Sequence, residues 1–279
     1  MSLAQGVKKK LKRFAVISIV FIFPLFYFVI KLRRIKLVLI DSRLGNSCMA
    51  MDFFLRSQQK KIVDQHFQYF FILRKDYCNN FLLQKFSEHV RIVRSTILYA
   101  LLLRMHDENI YTKIFFNPVK NENDFCIFKD TEKTLTFNEK ELRKGEAELR
   151  RNGLDCDSDK YFCIFARDAA FLTKTYPDSD WSYHQHRNLD IDTFKKTVLY
   201  LISEGYYVVR VGSIVEKKLS INSPKFIDYP YTDMRSDFMD IFLIAHAEGV
   251  IGTESGMTDL SAVFNVPYLI VNQSVVGKW

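Results

Sequence analysis

The stretch Gly249-Val250-Ile251-Gly252-Thr253-Glu254-Ser255-Gly256-Met257-Thr258-Asp259-Leu260 decides the fold. Its apolar beginning predicts a buried strand, its middle a turn rich in glycine and hydroxyl side chains, and its end a helix. Such a turn leaves unpaired backbone N–H groups at the positive end of a helix dipole, where a phosphate binds readily. An ordinary tight turn with Ser255 as helix N-cap explains the same pattern. Both interpretations of the turn stay open on this stretch alone.

Further strands and helices alternate around this stretch. Strands are predicted at Tyr161–Ala166, Tyr206–Val211, Phe226–Tyr229 and Tyr268–Asn272. Apolar residues at helical spacing between them predict a helix through Phe194, Val198, Leu201 and Ile202 and another through Phe238, Ile241, Phe242 and Ala245. This alternation is typical of an α/β fold with parallel, doubly wound sheets.

The N-terminal half repeats the order of strand, turn and helix. A strand is predicted at Ile35–Ile40, followed by a polar turn that contains Gly45 and by a helix. A second strand is predicted at Phe67–Leu73, and the stretch Phe81–Met105 is expected to be helical. With Asn152–Lys160 as linker, the expected organisation is an anchor at 1–34, an N-terminal Rossmann-like domain at 35–151 and a C-terminal Rossmann-like domain at 152–279.

Composition narrows the class of protein. The chain has 279 residues, 48% of them apolar, and a formal net charge of +8. The positive balance favours anionic partners, and the absence of a nucleic-acid motif or a long basic stripe argues against DNA and RNA. The five cysteines are scattered, with no close Cys/His pairing of the kind zinc sites use. We therefore expect a reducing compartment, no structural metal and no cofactor.

The run Phe14–Ile30 is apolar apart from Ser18 and has basic clusters on both sides, within residues 8–36. Its length is at the short end of what crosses a bilayer, and basic residues at both ends also suit a helix embedded in one leaflet. The run is not followed by the small-residue cleavage site that a secretory signal needs. A buried core helix is the remaining alternative. We expect a membrane anchor at the inner membrane, with the globular part cytoplasmic.

Charged side chains follow two of the predicted strands. Arg167 and Asp168 end the Tyr161 strand, and Arg210 lies near the end of the Tyr206 strand. Because carboxyl ends of parallel strands open onto one crevice, these residues should converge on the Thr253–Gly256 loop. Two guanidinium groups would then grip a diphosphate with paired hydrogen bonds. Each arginine alone is equally explained as a surface group.

Two further polar clusters have different explanations. The loop that holds His184, His186, Arg187 and Asn188 is rich in aromatic residues, including Tyr176, Trp181 and Tyr183, and predicts a lid or acceptor-binding segment. The two histidines have no evident third ligand, so a metal is not expected there. Asp190-Ile191-Asp192 imitates a metal-binding signature but directly precedes a helix, where aspartate is the expected cap.

Six segments carry a family likeness: Phe165–Asp168, His186–Asn188 with Asp190, Gly205–Gly212, Ile227–Tyr229, Ser236–Leu243 and Ile251–Gly256. Together they resemble a bacterial family of glycosyltransferases of the two-Rossmann-domain (GT-B) type. The segment Ile251–Gly256 is also similar to the donor loop of lipopolysaccharide heptosyltransferases. The six segments span well over a third of the chain in the expected order.

The resemblance implies metal-independent transfer of a sugar from a nucleotide-sugar donor to a cell-surface polysaccharide or glycolipid. It implies a donor diphosphate on Thr253, Glu254, Ser255 and Gly256, assisted by Arg167 and Arg210. Fixed N–H and guanidinium groups would stabilise the departing diphosphate. Asp168 is the expected general base, with His186 second. Arg187, Asn188, Gly45 and Asn46 are expected at the acceptor or lid.

Two departures from the family pattern keep a second hypothesis open. The family tends to have a Gly-His pair where this chain has Gly45-Asn46, and an amide cannot act as a base. Such transferases also usually continue beyond the position of Trp279, so the chain is expected to be a fragment or a shortened member. The resemblance makes 35–151 the acceptor domain and 152–279 the nucleotide-sugar-binding domain, which would then be incomplete. The alternative is a catalytically inactive nucleotide-sugar-binding or assembly protein of the same fold. A membrane-surface lipid-binding protein is a third hypothesis.

Overall fold

The computed structural model describes residues 24–119, 122–175, 177 and 180–273. The strands in this range are β1 (Ile35–Leu39), β2 (Gln68–Leu73), β3 (Arg91–Arg94), β4 (Tyr161–Phe165), β5 (Tyr207–Arg210), β6 (Phe226–Asp228), β7 (Gly249–Thr253) and β8 (Tyr268–Val271). The helices are α1 (residues 24–32), α2 (Leu44–Gln59), α3 (Asn80–Ser87), α4 (Thr96–Asp107), α5 (Glu139–Arg151), α6 (Ala170–Thr175), α7 (Lys195–Ser203), α8 (Asp237–Ala245) and α9 (Gly256–Val263). Short 3-10 helices lie at Thr112–Ile114, Glu122–Lys129, Ser182–Arg187, Ile191–Phe194 and Tyr229–Tyr231.

Two compact units share these elements. Among the described residues, the smaller unit contains 24–40, 63–76 and 90–118, and the larger contains 41–62, 77–89, 119 and the described ranges from 122 onward. Helix α5 and the following turn therefore belong to the same unit as β4. Arg150 forms ion pairs with Asp155 and Asp157 of this turn, at 3.0 and 2.7 Å. This grouping differs from the division at residues 151 and 152 expected from the sequence, which stays a prediction about domains.

The smaller unit is a parallel sheet in the order β1-β2-β3. Leu37 and Ile72 of the sheet are buried against Leu102 and Met105 of α4 and against Ile30 of α1. The expected helix Phe81–Met105 is wrong, because β3 interrupts it between α3 and α4. The β-branched residues of β3 favour a strand, and Ser95 then begins α4 by accepting a hydrogen bond from the Leu98 amide at 3.2 Å.

The larger unit contains a five-stranded parallel sheet in the order β6-β5-β4-β7-β8. Helices cover both faces, because successive side chains of a strand point in opposite directions. On β4, Ile164 packs with Val198 of α7, whereas the Tyr161 hydroxyl donates to the Leu243 carbonyl of α8 at 2.9 Å. The strand order reverses between β4 and β7, which is the position where ligands bind in open α/β sheets. The predicted α/β class with parallel sheets is confirmed.

Close helix packing brings α5 onto α8 within the larger unit. Gly145 of α5 faces the ring of Phe242, and a methyl group on this glycine would come within 2.3 Å of the ring carbons. This glycine therefore allows a helix approach that no larger residue permits without movement of the ring.

Most of the predicted anchor, residues 14–23 and the basic residues before them, lies outside the described residues. The part that follows, residues 24–32, forms α1. Across the described ranges of the chain, we find no helix with both the length and the apolar content needed to cross a membrane.

Candidate active site

A pocket of about 390 Å³ opens at the carboxyl ends of β4 and β7 in the larger unit. Its wall contains Arg167 and Asp168, which follow β4, and Glu254, Ser255 and Gly256, which follow β7. The sequence-based prediction that these two chain segments converge is therefore met in the structure. The first residues of α2, namely Leu44, Gly45 and Asn46, also line the pocket, together with Arg43, Cys78, Asn79, Phe171, Arg187, Ile214, Asp240, Met257 and Asp259.

Two glycines bring the N-terminal ends of α2 and α9 together in this pocket. A methyl group on Gly256 would lie 2.7 Å from the Gly45 nitrogen, and one on Gly45 would lie 2.1 Å from Asp259 Oδ2. Neither position tolerates a side chain without displacement of its neighbours. The first-turn N–H groups of both helices therefore lie near the pocket, where their partial positive charge favours an anion.

Ser255 is the N-cap of α9, as one interpretation of the turn predicted. Its hydroxyl accepts a hydrogen bond from the Met257 amide at 3.2 Å, and Thr258 Oγ1 accepts one from the Ser255 amide at 3.1 Å. Because Ser255 also lines the pocket, capping and phosphate binding are compatible functions of one turn. Thr253 is instead fully buried, and its hydroxyl accepts a hydrogen bond from the Arg167 amide at 2.8 Å.

Arg167 and Arg187 line this pocket and contact residues of the Ser255 turn, whereas the guanidinium of Arg43, which also lines it, pairs with Asp41 at 2.6 Å. The Arg167 guanidinium donates to the side-chain oxygen of Asn188. Arg187 donates to the Glu254 carbonyl at 3.0 Å, and its Nε lies 3.7 Å from the Glu254 carboxylate. Burial lowers the pKa of Arg167, and the charge of Arg187 lowers it further. The proximity of two like charges makes the site receptive to an anion.

Arg210 does not line this pocket, although the sequence suggested it as the partner of Arg167. Its side chain is 1% exposed and donates to the Lys217 carbonyl at 2.5 Å and to Asp228 at 3.3 Å. It borders a different cavity of about 250 Å³. Of the expected pair, only Arg167 therefore lines this pocket, and Arg187 lines it as well.

The two residues suggested as the base differ in position. Asp168 lines the pocket, but its two carboxylate oxygens accept hydrogen bonds from the Ala170 amide at 3.0 Å and the Glu216 amide at 2.9 Å. His186 is exposed and is not among the residues that line the pocket. The side chain of His184, like Tyr176, lies outside the described residues.

The side chains of Asn46, Asp190 and Asp192 also form polar contacts within the chain. Asn46 lines the pocket, and its amide donates to Asp41 at 3.2 Å. Asp190 caps the short helix that follows it, and Lys217 reaches both Asp190 and Asp192 at 2.7 Å. In the part of the chain that the structure describes, no cluster of three or more His, Cys, Asp or Glu residues could hold a metal ion.

Asp259 is a pocket residue that the sequence-based reasoning missed. Burial and, to a smaller extent, the negative charge of Glu254 raise the pKa of this carboxyl, Arg187 opposes them, and the resulting pKa is about 7. Its position four residues after Ser255 in a predicted helix could have indicated it, since residues at that spacing lie on one face. Another acidic residue of the pocket wall, Asp240, is held by the Tyr229 hydroxyl at 2.6 Å and by Arg235 at 3.1 Å.

Comparisons with known proteins find similarity at the level of structure. No protein-family model matches the chain, and no curated protein matches it in sequence. Among solved structures, the E. coli ADP-heptose LPS heptosyltransferase II superposes with a TM-score of 0.50 at 13% identity, over 84% of this chain and 83% of that one. A glycosyltransferase of family 9 from Veillonella parvula superposes with a TM-score of 0.48 at 12% identity, over 84% and 79%. The similarity to the first of these shows that the chain has a heptosyltransferase-like α/β fold.

Proposed function

We propose that the protein is a glycosyltransferase that moves a sugar from a nucleotide-sugar donor to a hydroxyl of a cell-surface polysaccharide or glycolipid. The observation that supports this most directly is the pocket at the β4–β7 switch point, where Arg167 and Arg187 face the Ser255 turn of α9. The protein of similar fold is an ADP-heptose transferase, whose donor is a nucleotide-sugar. A two-domain organisation of GT-B type and independence of a metal ion are parts of the same proposal.

The pocket suits both halves of such a donor. The two arginines and the N–H groups at the start of α9 match the charge of a diphosphate. When the bond to the sugar breaks, the leaving diphosphate gains negative charge, and these fixed donors stabilise it without reorganisation. The acidic residues Asp168, Glu254 and Asp259 offer oxygen atoms that accept hydrogen bonds from sugar hydroxyls. An anion site without sugar specificity would not need such a set of carboxylates.

Nucleotide binding and turnover by the full chain test this function. We expect ADP, GDP or UDP to raise the melting temperature in a concentration-dependent way, because a ligand of the native state stabilises it by mass action. Release of the nucleoside diphosphate from ADP-glucose, GDP-mannose or UDP-glucose should follow when glycan or glycolipid acceptors are added. Binding without turnover for every acceptor would favour the inactive binding protein, and absence of both would contradict the proposal.

Membrane association is the second part of the proposal. On α1, Leu25, Phe28 and Leu32 are 67%, 61% and 70% exposed, and exposed basic residues follow at Arg33 and Arg34. Apolar side chains next to arginines match the boundary between acyl chains and anionic head groups, where each basic residue contributes about 1 kcal/mol. Together with the apolar residues 14–23, α1 would hold the protein at the cytoplasmic face of the inner membrane.

Sedimentation with lipid vesicles tests this association. The full chain should sediment with vesicles that contain phosphatidylglycerol, and the variant with Leu25, Phe28 and Leu32 replaced by serine should sediment several-fold less. Ile62→Ser is the matched control, because Ile62 is 70% exposed but lies in the larger unit. Equal sedimentation of the triple variant and the control would contradict a contact through α1.

A further inference from the structure

We propose that Asp259 is the general base that takes the proton from the acceptor hydroxyl, an inference that rests on the proposed function. Asp259 lines the pocket one helical turn after Ser255, the residue that caps α9 at the expected diphosphate position. Its Oδ2 atom lies against Gly45, which has no side chain to cover it. The carboxylate is therefore placed beside the donor site.

The other acidic residues of the pocket wall have specific partners. Asp168 accepts two backbone N–H bonds, Asp240 is bound by a tyrosine and an arginine, and Glu254 lies beside Arg187. Asn46, at the position where the family resemblance expects histidine, carries an amide that cannot take up a proton. Among the described residues, Asp259 has a half-buried carboxylate in the pocket wall and no side-chain hydrogen bond. Its position and chemistry together suit a base.

The surroundings of Asp259 adjust its proton affinity to the task. Burial and the charge of Glu254 raise its pKa, Arg187 lowers it, and the net result is a pKa of about 7. The thiol of Cys48 on α2 and the hydroxyl of Tyr268 on β8 also face this carboxyl, both as neutral groups, since burial raises their pKa values. A general base works best when its pKa lies near the working pH, because it is then ionised and still basic.

The acceptor hydroxyl gives its proton to an Asp259 oxygen while the hydroxyl oxygen forms a bond to the anomeric carbon. The bond between that carbon and the diphosphate oxygen breaks, and the electron pair leaves with the nucleoside diphosphate, which Arg167 and Arg187 stabilise. Asp259 then releases its proton to water.

Asp259→Asn in the full chain tests this assignment, because the amide keeps the shape of the side chain but cannot take up a proton. We expect release of nucleoside diphosphate from the best of ADP-glucose, GDP-mannose and UDP-glucose to fall by about 10²- to 10⁴-fold. The Kd of the matching nucleoside diphosphate should stay within about threefold of the wild-type value, because the arginines and the α9 turn are unchanged. Asp259→Glu should restore part of the rate, and Asp233→Asn, at an exposed aspartate outside the pocket, is the matched control.

A pH profile separates a base from a structural residue. The wild-type kcat/KM should fall tenfold per pH unit below about 7, where Asp259 becomes protonated, and the residual activity of Asp259→Asn should lack this dependence. The variant should melt no lower than the wild type above pH 7. Because the pKa of Asp259 is raised in the folded protein, ionisation of this carboxyl lowers the free energy of unfolding. This loss grows as the pH rises from the ordinary aspartate range to about 7. The amide of the variant does not ionise, so the variant avoids the loss.

The outcomes distinguish the two proposals. A variant that keeps more than a tenth of the turnover, or keeps the same pH dependence, would overturn the assignment of the base while the transferase function stands. If the wild type neither binds a nucleoside diphosphate nor turns over a nucleotide-sugar, the proposed function fails, and the assignment of Asp259 fails with it.

Discussion

Replacing Arg56 by methionine is expected to lower the free energy of unfolding by about 3–5 kcal/mol. Arg56 is fully buried in the larger unit, and its Nε donates to Asp52 at 2.6 Å. Methionine approximates the length of the aliphatic part but removes the charge, so the Asp52 carboxylate would lose its partner in a place without water. Urea denaturation followed by circular dichroism measures the change.

The same side chain also holds the C-terminal end of α9. Its guanidinium donates to the Val263 carbonyl at 3.0 Å and to the Asn265 side chain at 2.9 Å, and also to the Thr131 carbonyl at 3.2 Å. The bond to Val263 satisfies a carbonyl at the end of α9, where helical hydrogen bonds are missing. Helix α9 has only eight residues, and its N-terminal end lines the pocket. Loss of Arg56 should therefore also weaken nucleotide binding, because α9 would lose a fixed end.

Arg104→Met is the matched control for Arg56→Met. Arg104 forms an ion pair with Glu108 at 2.8 Å with the same spacing of four residues along a helix, but both side chains are exposed. Its loss should cost no more than about 1 kcal/mol, since solvent screens such pairs. The double variant Asp52→Asn with Arg56→Met should recover part of the lost stability, because no buried charge is left unpaired. A loss below about 1 kcal/mol for Arg56→Met alone would contradict the argument.

The strands of the larger sheet were predictable because each is a short run of apolar or β-branched residues that ends at a polar turn. The predicted strands at Tyr161, Tyr206 and Phe226 and in the Gly249 and Tyr268 segments correspond to β4 to β8, with ends that differ by a residue or two. The meeting of Arg167 with the Ser255 turn followed from parallel strand topology alone. Strand positions and the convergence of strand ends can thus be predicted from the sequence.

The direction of a long side chain cannot be predicted from strand positions. Arg210 and Arg167 both lie near strand ends, yet Arg210 turns to Asp228 while Arg167 lines the pocket. Strand position gave no reason to prefer one, because a guanidinium on a flexible chain follows the nearest carboxylate or carbonyl. The sequence predicts a lid position for Arg187, because its contact with Glu254 joins segments far apart in the chain and no local pattern indicates it.

Asp259 was missed for a related reason. Its unusual pKa arises from burial and from Glu254, and its close neighbour Gly45 on α2 is distant in the chain. No local pattern reveals such surroundings. The same limit explains β3, a strand of four residues inside a stretch whose apolar spacing suggested one continuous helix.

Replacing Arg167 and Arg187 together by alanine is expected to weaken binding of the best nucleoside diphosphate by more than about 100-fold. A hydrogen bond to a charged group contributes about 1.5–3 kcal/mol, and about 1.4 kcal/mol corresponds to a factor of ten in affinity. Each single variant should therefore lose about tenfold or more. In the double variant, the Glu254 carboxylate would also face the diphosphate without its neighbour Arg187. Isothermal titration calorimetry at fixed salt concentration measures the Kd values.

Two further variants make the interpretation specific. Arg151→Ala removes an exposed arginine of α5 that pairs with Glu148 at 3.0 Å, away from the pocket, and should leave the Kd unchanged. Arg167→Lys keeps the positive charge but loses the planar fork, so its loss should be intermediate if paired hydrogen bonds matter. A double variant that binds within about threefold of the wild type, while it melts at the same temperature, would show that the diphosphate does not lie between these arginines. In that case the proposed transfer would lack the two guanidinium groups that are expected to stabilise its leaving diphosphate.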